Sequence, residues 1–264
     1  MSYLAITVDV ESDSSALADP TLQTNLGITH SLPQLLNSLA SRGYPATLFI
    51  SCDVLDVVEH DLLEATRSEI EIASHGMRHP FPPTYLTSYP VDELAREIAL
   101  SKTVLKDHLG VEVLGFRAPG LLTNERIMRL TSLSYEYDSS ILLFRRYGRH
   151  RVRDSTPYHP RESNICGPGW MPITEIPVSS LSIGGLKIPA VGSYIRNLPQ
   201  VVLRRLSEPV VVLDLHCQDF VRYRNWKYLT ADRFLGKLIQ LLEYYETQGY
   251  RLVNMRTLLR EPLL

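Results

Sequence analysis

The sequence predicts an α/β protein, a distorted (β/α) barrel of about seven parallel strands. Three observations predict it. Apolar β-rich runs alternate with stretches of helical periodicity along nearly the whole chain, the pattern of a parallel sheet with crossover helices. The 264 residues hold seven or so such units, which suits a closed or nearly closed barrel better than an open doubly wound sheet. The first strand–helix connection, Asp9-Val10-Glu11-Ser12-Asp13, has no Gly-rich phosphate loop, which argues against a dinucleotide or P-loop site.

The elements follow in order. Tyr3–Asp9 is a β-rich run, and Ile28–Arg42 carries apolar residues at helical spacing (Ile28, Leu32, Leu35, Leu36, Leu39) until Gly43 stops it. Ala46–Ile50 is a second strand, Val54–Thr66 a helix and Glu69–Ser74 a third strand. Val91–Leu109 is the best helix, with Leu94, Ile98, Val104, Leu105 and Leu109 on its apolar face and Gly110 at its end. Val111–Phe116 is a strand, Asn124–Leu133 a helix and Tyr135–Asp138 a short strand. From Leu142 to Pro172 the composition turns to Arg, Pro, Gly and polar residues, the signature of a long loop, and such loops are often functional. Thr174–Pro177, a turn at Gly184-Gly185, a helix near Leu198–Leu206, the apolar strand Val210–Leu215, the helix Ala231–Gln248, a strand at Tyr250–Val253 and a short last helix complete the series.

No repeat, low-complexity stretch or linker divides the chain, so one domain over residues 1–264 is expected, with the Arg-rich loop 142–172 inside it. Composition is that of an ordinary globular protein, 44% hydrophobic and 21% charged. With 27 Lys+Arg against 29 Asp+Glu, the chain lacks the basic excess of a general nucleic-acid binder. No apolar run approaches the ~18 residues of a membrane span. The N-terminal residues show no basic n-region or small-residue cleavage site, so a cytoplasmic protein is expected. Cys52, Cys166 and Cys217 are too few and scattered for a disulfide framework or a Cys-based zinc site, and read as small buried hydrophobes.

In a parallel barrel the chemistry gathers at the C-terminal ends of the strands. Asp9 and Glu11, two apart in an extended segment, project to one face; the pair could equally cap the next helix. His75 and His79 would bring two imidazoles together over one turn, and two His with one carboxylate is a common hydrolytic zinc set. Arg117 could hold a neighbouring carboxylate ionised or form a rim salt bridge. Asp138 and His216 close two further strands; a His in such a place is more often a satisfied core or rim residue than a catalyst. Five strand ends each supplying a group suited to metal-assisted hydrolysis favour the joint reading.

These residues resemble the polysaccharide deacetylases, the NodB-homology group typified by carbohydrate esterase family 4. The likeness runs from Thr7 to about Val253. Thr7-Val8-Asp9-Val10-Glu11 resembles the first motif, Ser74 to His79 the second, and Phe116-Arg117-Ala118-Pro119-Gly120 the third. Tyr137-Asp138-Ser139-Ser140 is similar to the fourth and Leu213-Asp214-Leu215-His216 to the fifth, while Glu175 to Ser179 looks like the segment following the long loop in relatives. There are two departures. The first motif is acid-x-acid, where the commonest form has adjacent acids, and Ile141 stands where many members place Trp.

The resemblance implies that Glu11, His75 and His79 hold one divalent metal ion, zinc, with Asp9 as general base and Arg117 keeping it ionised and aimed. It further implies that the Gly120 N–H stabilises the oxyanion, and that His216 protonates the leaving amine while Asp138 bonds the far side of its ring. The expected reaction is removal of an N-acyl group, foremost acetyl, from an amino sugar. The missing signal favours a biosynthetic intermediate, free or linked to a nucleotide or lipid. Arg145, Arg146, Arg149, Arg151, Arg153 and Arg161 suit anionic head groups, although an Arg-biased chain would cluster some on a solvated loop in any case. Trp170 is either a platform for a sugar ring or a core plug, the plug being slightly favoured. Two alternatives stand beside this reading: hydrolysis of another C–N bond, in a formamide or cyclic amide, and a catalytically inactive carbohydrate-binding barrel.

Overall fold

In a computed structural model, residues 1–17, 19, 21, 22, 24–58, 68–80, 84–221 and 231–261 are described. Along the chain the strands are β1 (Ser2–Val10), β2 (Ala46–Ile50), β3 (Ile70–Ser74), β4 (Gly115–Phe116) and β5 (Tyr137–Asp138). A hairpin of β6 (Pro160–Arg161) and β7 (Asn164–Pro168) follows, then β8 (Thr174–Glu175) and a second hairpin, β9 (Ser180–Ile183) with β10 (Leu186–Pro189). β11 (Val210–His216) and β12 (Tyr250–Val253) complete the set.

The main sheet runs β11-β1-β2-β3-β4-β5-β8, every pairing parallel, so the expected β/α barrel of seven strands is what forms. One edge of β1 pairs with β11; the other is shared, β12 taking Ser2–Ala5 and β2 taking Ile6–Val10. Beyond β8 the chain reaches round to β11, where the Ser179 N–H donates to the Val212 carbonyl at 3.1 Å. That contact nearly closes the barrel.

Alternation along each strand sorts residues between an inner and an outer face. Tyr3 and Ala5 of β1, Phe49, Ala73, Tyr137, Ile176, Val210 and Val212 pack together inside. Leu4, Ile6, Val8 and Val10 face outward into the larger core, against Leu32, Leu35, Leu36 and Leu39 of the helix Leu32–Ala40. Glycine is required at Gly115, because a Cβ there would lie 1.9 Å from the Tyr137 ring.

The helix Val91–Leu109 has the expected bounds, and Gly110 closes it with φ +64 in the left-handed region. Other elements are shorter than periodicity suggests. The expected strands Val111–Phe116 and Tyr135–Asp138 pair only over Gly115–Phe116 and Tyr137–Asp138. The expected helix Val54–Thr66 is a 3₁₀ segment over Cys52–Val57, and residues 59–67 lie outside the described ones. The loop 142–172 is more ordered than its composition implies. It carries the β6–β7 hairpin, and its scattered apolar residues Tyr147, Val152, Ile165 and Met171 are buried at no regular spacing. Among the described residues no helix is long and apolar enough to cross a membrane.

Candidate active site

The inner face of the barrel continues upward from the apolar residues into the polar ones. In β1 the residues after Tyr3 and Ala5 on that face are Thr7 and Asp9; in β11 those after Val210 and Val212 are Asp214 and His216. Register pairs Thr7 with Asp214 and Asp9 with His216. Strand parity therefore delivers Asp9, Asp214 and His216 to one spot without any special loop.

Arg117, fully buried just past β4, ties this cluster together. Its Nη1 donates to Asp9 Oδ1 at 2.8 Å and to Asp214 Oδ1 at 2.9 Å. Its Nε and Nη2 donate to the carbonyl and hydroxyl of Ser139 at 3.0 and 3.1 Å, and its Cζ lies 4.0 Å from the Phe49 ring centroid. A guanidinium filled on all sides in this way fixes where Asp9 points.

His75 follows β3, and Ser74 is in register with Phe116, which sets His75 beside Arg117. The His75 Nδ1–H donates to the Arg117 carbonyl at 3.0 Å, leaving Nε2 as the free lone pair, 3.6 Å from Asp9 Oδ2. His79 Nε2 stands 3.1 Å from Glu11 Oε2. The two rings come together, centroids 5.6 Å apart, through a bend with Gly76 at φ +87, and not through the helical turn that a His-x3-His spacing suggests.

Glu11, His75 and His79 offer ligand atoms that all lie within 4.8 Å of one another. Glu11 Oε2 and His75 Nε2 are buried polar atoms with no hydrogen-bond partner. Groups of this kind are costly to leave unpaired, and a divalent cation satisfies an N/O donor set like this one. Burial pushes His75 down to about 4 and His79 down to about 3, so both rings are neutral at pH 7 and carry the lone pair a metal needs. Burial also pushes Glu11 up to about 8, a shift that a cation in its place would reverse. The residues fit such an ion.

Burial opposes ionisation of Asp9, but His75, Arg117 and His216 outweigh it and hold the carboxyl below its ordinary value. Asp214, sharing the same guanidinium, is pushed up to about 7 by burial and by Asp9. His216 Nε2 lies 3.5 Å from Glu11 Oε1 and 4.0 Å from Asp9 Oδ2. Against the cost of burial, the Asp219 carboxylate, then Asp214 and Asp9, raise its pKa well above the usual imidazole value, so it carries a proton at pH 7.

The expected pairing of Asp138 with His216 is not what forms. Tyr137 is on the inner face, so Asp138, its neighbour in sequence, falls on the outer one. There it accepts from the Ser140 N–H and hydroxyl at 2.9 and 3.0 Å and lies beside Glu175, its register partner on β8. The group facing His216 Nδ1 is Asp219, at 3.8 Å; its Oδ2 also accepts the His216 backbone N–H at 2.8 Å. Asp219 sits so close to Gly192 that a Cβ there would lie 1.6 Å from its Oδ2.

Gly120 stands at the rim with φ +65, and its carbonyl accepts from Arg145 Nη1 at 3.3 Å. Arg146 is exposed, as are Arg149, Arg151, Arg153 and Arg161. Trp170 is 97% exposed, which overturns the core-plug reading. Sequence reasoning missed Asp214 and Asp219 as partners of Arg117 and His216. Strand parity in Val210–His216 could have found Asp214, and Asp219 stands three residues after His216, the spacing at which a carboxylate caps the turn that follows by accepting the His216 N–H.

Comparison with known proteins bears on this geometry. The fold is similar to that of a polysaccharide deacetylase from Mycobacterium smegmatis, at 18% identity over 99% of this chain and 94% of that one, with a TM-score of 0.59. An allantoinase gives a TM-score of 0.65 at 14% identity, covering 98% of this chain and 89% of that one. A carbohydrate esterase family 4 pseudoenzyme from Bacillus anthracis gives 0.57 at 12% identity, over 98% of this chain and 66% of that one. No curated protein matches the sequence. The family model described as polysaccharide deacetylase matches residues 5–137, half of the chain, which include Asp9, Glu11, His75, His79 and Arg117. The chain belongs to the polysaccharide deacetylase family.

Proposed function

We propose that this protein is a metal-dependent hydrolase that removes an N-acyl group, foremost acetyl, from an amino sugar. The observation that carries the reading is the three-donor set Glu11, His75 and His79 beside an Asp9 held by a buried arginine. A divalent ion held there, zinc by the chemistry of the donors, supplies concentrated positive charge that acidifies water and makes an amide carbonyl more electrophilic. Asp9 Oδ2, the oxygen not engaged by Arg117, accepts the proton of the attacking water. Arg117 keeps that carboxylate ionised and stops it rotating. His216, protonated at rest, gives its proton to the departing amine, and Asp219 holds the imidazole by its backbone N–H and ring. The Gly120 N–H is the proposed donor to the oxyanion at the rim.

The substrate side is drawn from the loop. Exposed Trp170 offers a face for a sugar ring, and Arg145 and Arg146 offer charge for a nucleotide- or lipid-linked phosphate. The presence of base, proposed acid and donor set together supports a hydrolase over an inactive binding barrel. The test is Asp9→Asn. The variant is expected to bind one metal ion per chain as the wild type does, while acetate release from an N-acetylated amino sugar falls by about 10²- to 10⁴-fold. An Asp9→Asn protein that turns over at the wild-type rate would sink the assignment.

A further inference from the structure

The segment from His75 to His79 must hold two ligands in place, yet its own sequence, Gly76-Met77-Arg78, has no regular structure to stiffen it. Its first half is fixed by the sheet: the His75 N–H donates to the Ile50 carbonyl at 2.9 Å, and the Gly76 carbonyl accepts from the Cys52 N–H at 3.0 Å. Its second half is held differently. Glu97, on the helix Val91–Leu109 and only 7% exposed, accepts the Arg78 N–H at 3.2 Å and also engages the Met77 N–H. Asp53, in the 3₁₀ segment after β2, accepts the Ser51 hydroxyl and engages the His79 N–H. Three consecutive backbone N–H groups are thus taken by two carboxylates from different elements. Neither carboxylate belongs to a motif that the sequence singles out.

We propose that Glu97, assisted by Asp53, is the positioning residue of the metal-binding loop: it holds the loop backbone so that His75 and His79 present their lone pairs to one point. This rests on the reading of Glu11, His75 and His79 as a metal site. Against the cost of burying it, the Arg78 charge and the main-chain N–H groups of Arg78 and Met77 favour the Glu97 carboxylate, so every group that offsets its burial belongs to the loop it holds. Outer-shell groups of this kind set metal affinity by ordering the ligands before the ion arrives.

The test compares Glu97→Ala and Glu97→Gln with the wild type in the full chain. Zinc affinity is measured by competition with a chromogenic chelator, and backbone amide exchange is followed in the zinc-free protein. Glu97→Ala is expected to weaken zinc binding by about 10- to 100-fold and to speed exchange at Met77 and Arg78 by at least about tenfold through local opening of the loop. Glu97→Gln keeps an acceptor oxygen and is expected to stay within about threefold of the wild type in both. Zinc affinity and exchange both unchanged in Glu97→Ala would overturn the proposal. So would unprotected Met77 and Arg78 amides in the zinc-free wild type, a measurement that needs no variant to fold. A wild type that binds no zinc would overturn the metal reading itself, and the exchange data would still decide whether Glu97 holds the loop.

Discussion

Removing the Arg117 side chain while leaving the carboxylates it serves is the sharpest perturbation of the site. Nη1 meets Asp9 Oδ1 and Asp214 Oδ1 at 2.8 and 2.9 Å with no solvent access. At a charge separation of about 3 Å and an effective dielectric of about 20, each pair contributes about 5 kcal/mol of attraction. Most of that offsets the cost of burying three charged groups, so the intact cluster adds little net stability. Breaking it is another matter. Arg117→Met leaves the buried carboxyls of Asp9 and Asp214 without their cation, so that Asp9 remains an uncompensated charge while Asp214 takes up a proton, and leaves the Ser139 carbonyl unpaired, which costs about 3–5 kcal/mol. Urea unfolding followed by circular dichroism reads this directly. Arg117→Met with Asp214→Asn gives Asp9 a neutral amide that can donate a hydrogen bond to it, and is expected to recover part of the loss. Arg117→Lys, which keeps the charge but loses the fork to Ser139, is expected to fall between. A loss below about 1 kcal/mol in Arg117→Met, or no recovery in the double variant, would refute the picture of a charge cluster held by one guanidinium.

Three further outcomes are expected. Asp219→Asn should lower kcat by about tenfold or more because His216 loses the group that orients it, whereas Asp138→Asn should leave kcat within about threefold; the reverse ranking would restore the sequence-based assignment. Burial, then the Asp138 charge, holds the Glu175 pKa well above the ordinary carboxylate value. A raised carboxyl pKa stabilises fully below the unfolded value and loses that contribution as pH climbs toward the folded one. The stability difference between Glu175→Gln and the wild type should therefore change in favour of the variant by at least about 1 kcal/mol from pH 5 to pH 8, and parallel urea curves would contradict this. Trp170→Ala should raise KM for the sugar by about 2- to 10-fold while leaving the melting temperature unchanged, since the ring is 97% exposed; an unchanged KM would remove it from the substrate site.

Much of the fold was legible because a parallel barrel writes itself as alternation. The helix Val91–Leu109 has one apolar face and a glycine at its end, and both signals are local. The strands β1 and β11 are buried along nearly their whole length, and their runs are mostly apolar on both faces for that reason. The short strands β4 and β5 were overextended because pairing length depends on neighbours, not on propensity. At the site, motif residues at strand ends were found by position. Their partners were not, since the Asp138–Glu175 and Arg117–Asp214 contacts arise from register between segments far apart in the chain. Asp138 shows the limit most plainly: its place in the chain suggested the mouth, and one step of strand parity turned it to the other face.

Metal binding by Glu11, His75 and His79, and the dependence of amide hydrolysis on it, can be read in one experiment. Acetate release from N-acetylated amino sugars, with and without a phosphate-bearing carrier, should be measured on the protein as purified, after chelator treatment, and after zinc is restored. One metal ion per chain is expected, with acetate release lost on stripping and recovered on adding zinc. Undiminished turnover by the stripped protein would contradict this, and so would a zinc-loaded protein that releases no acetate from any such sugar yet opens a cyclic amide.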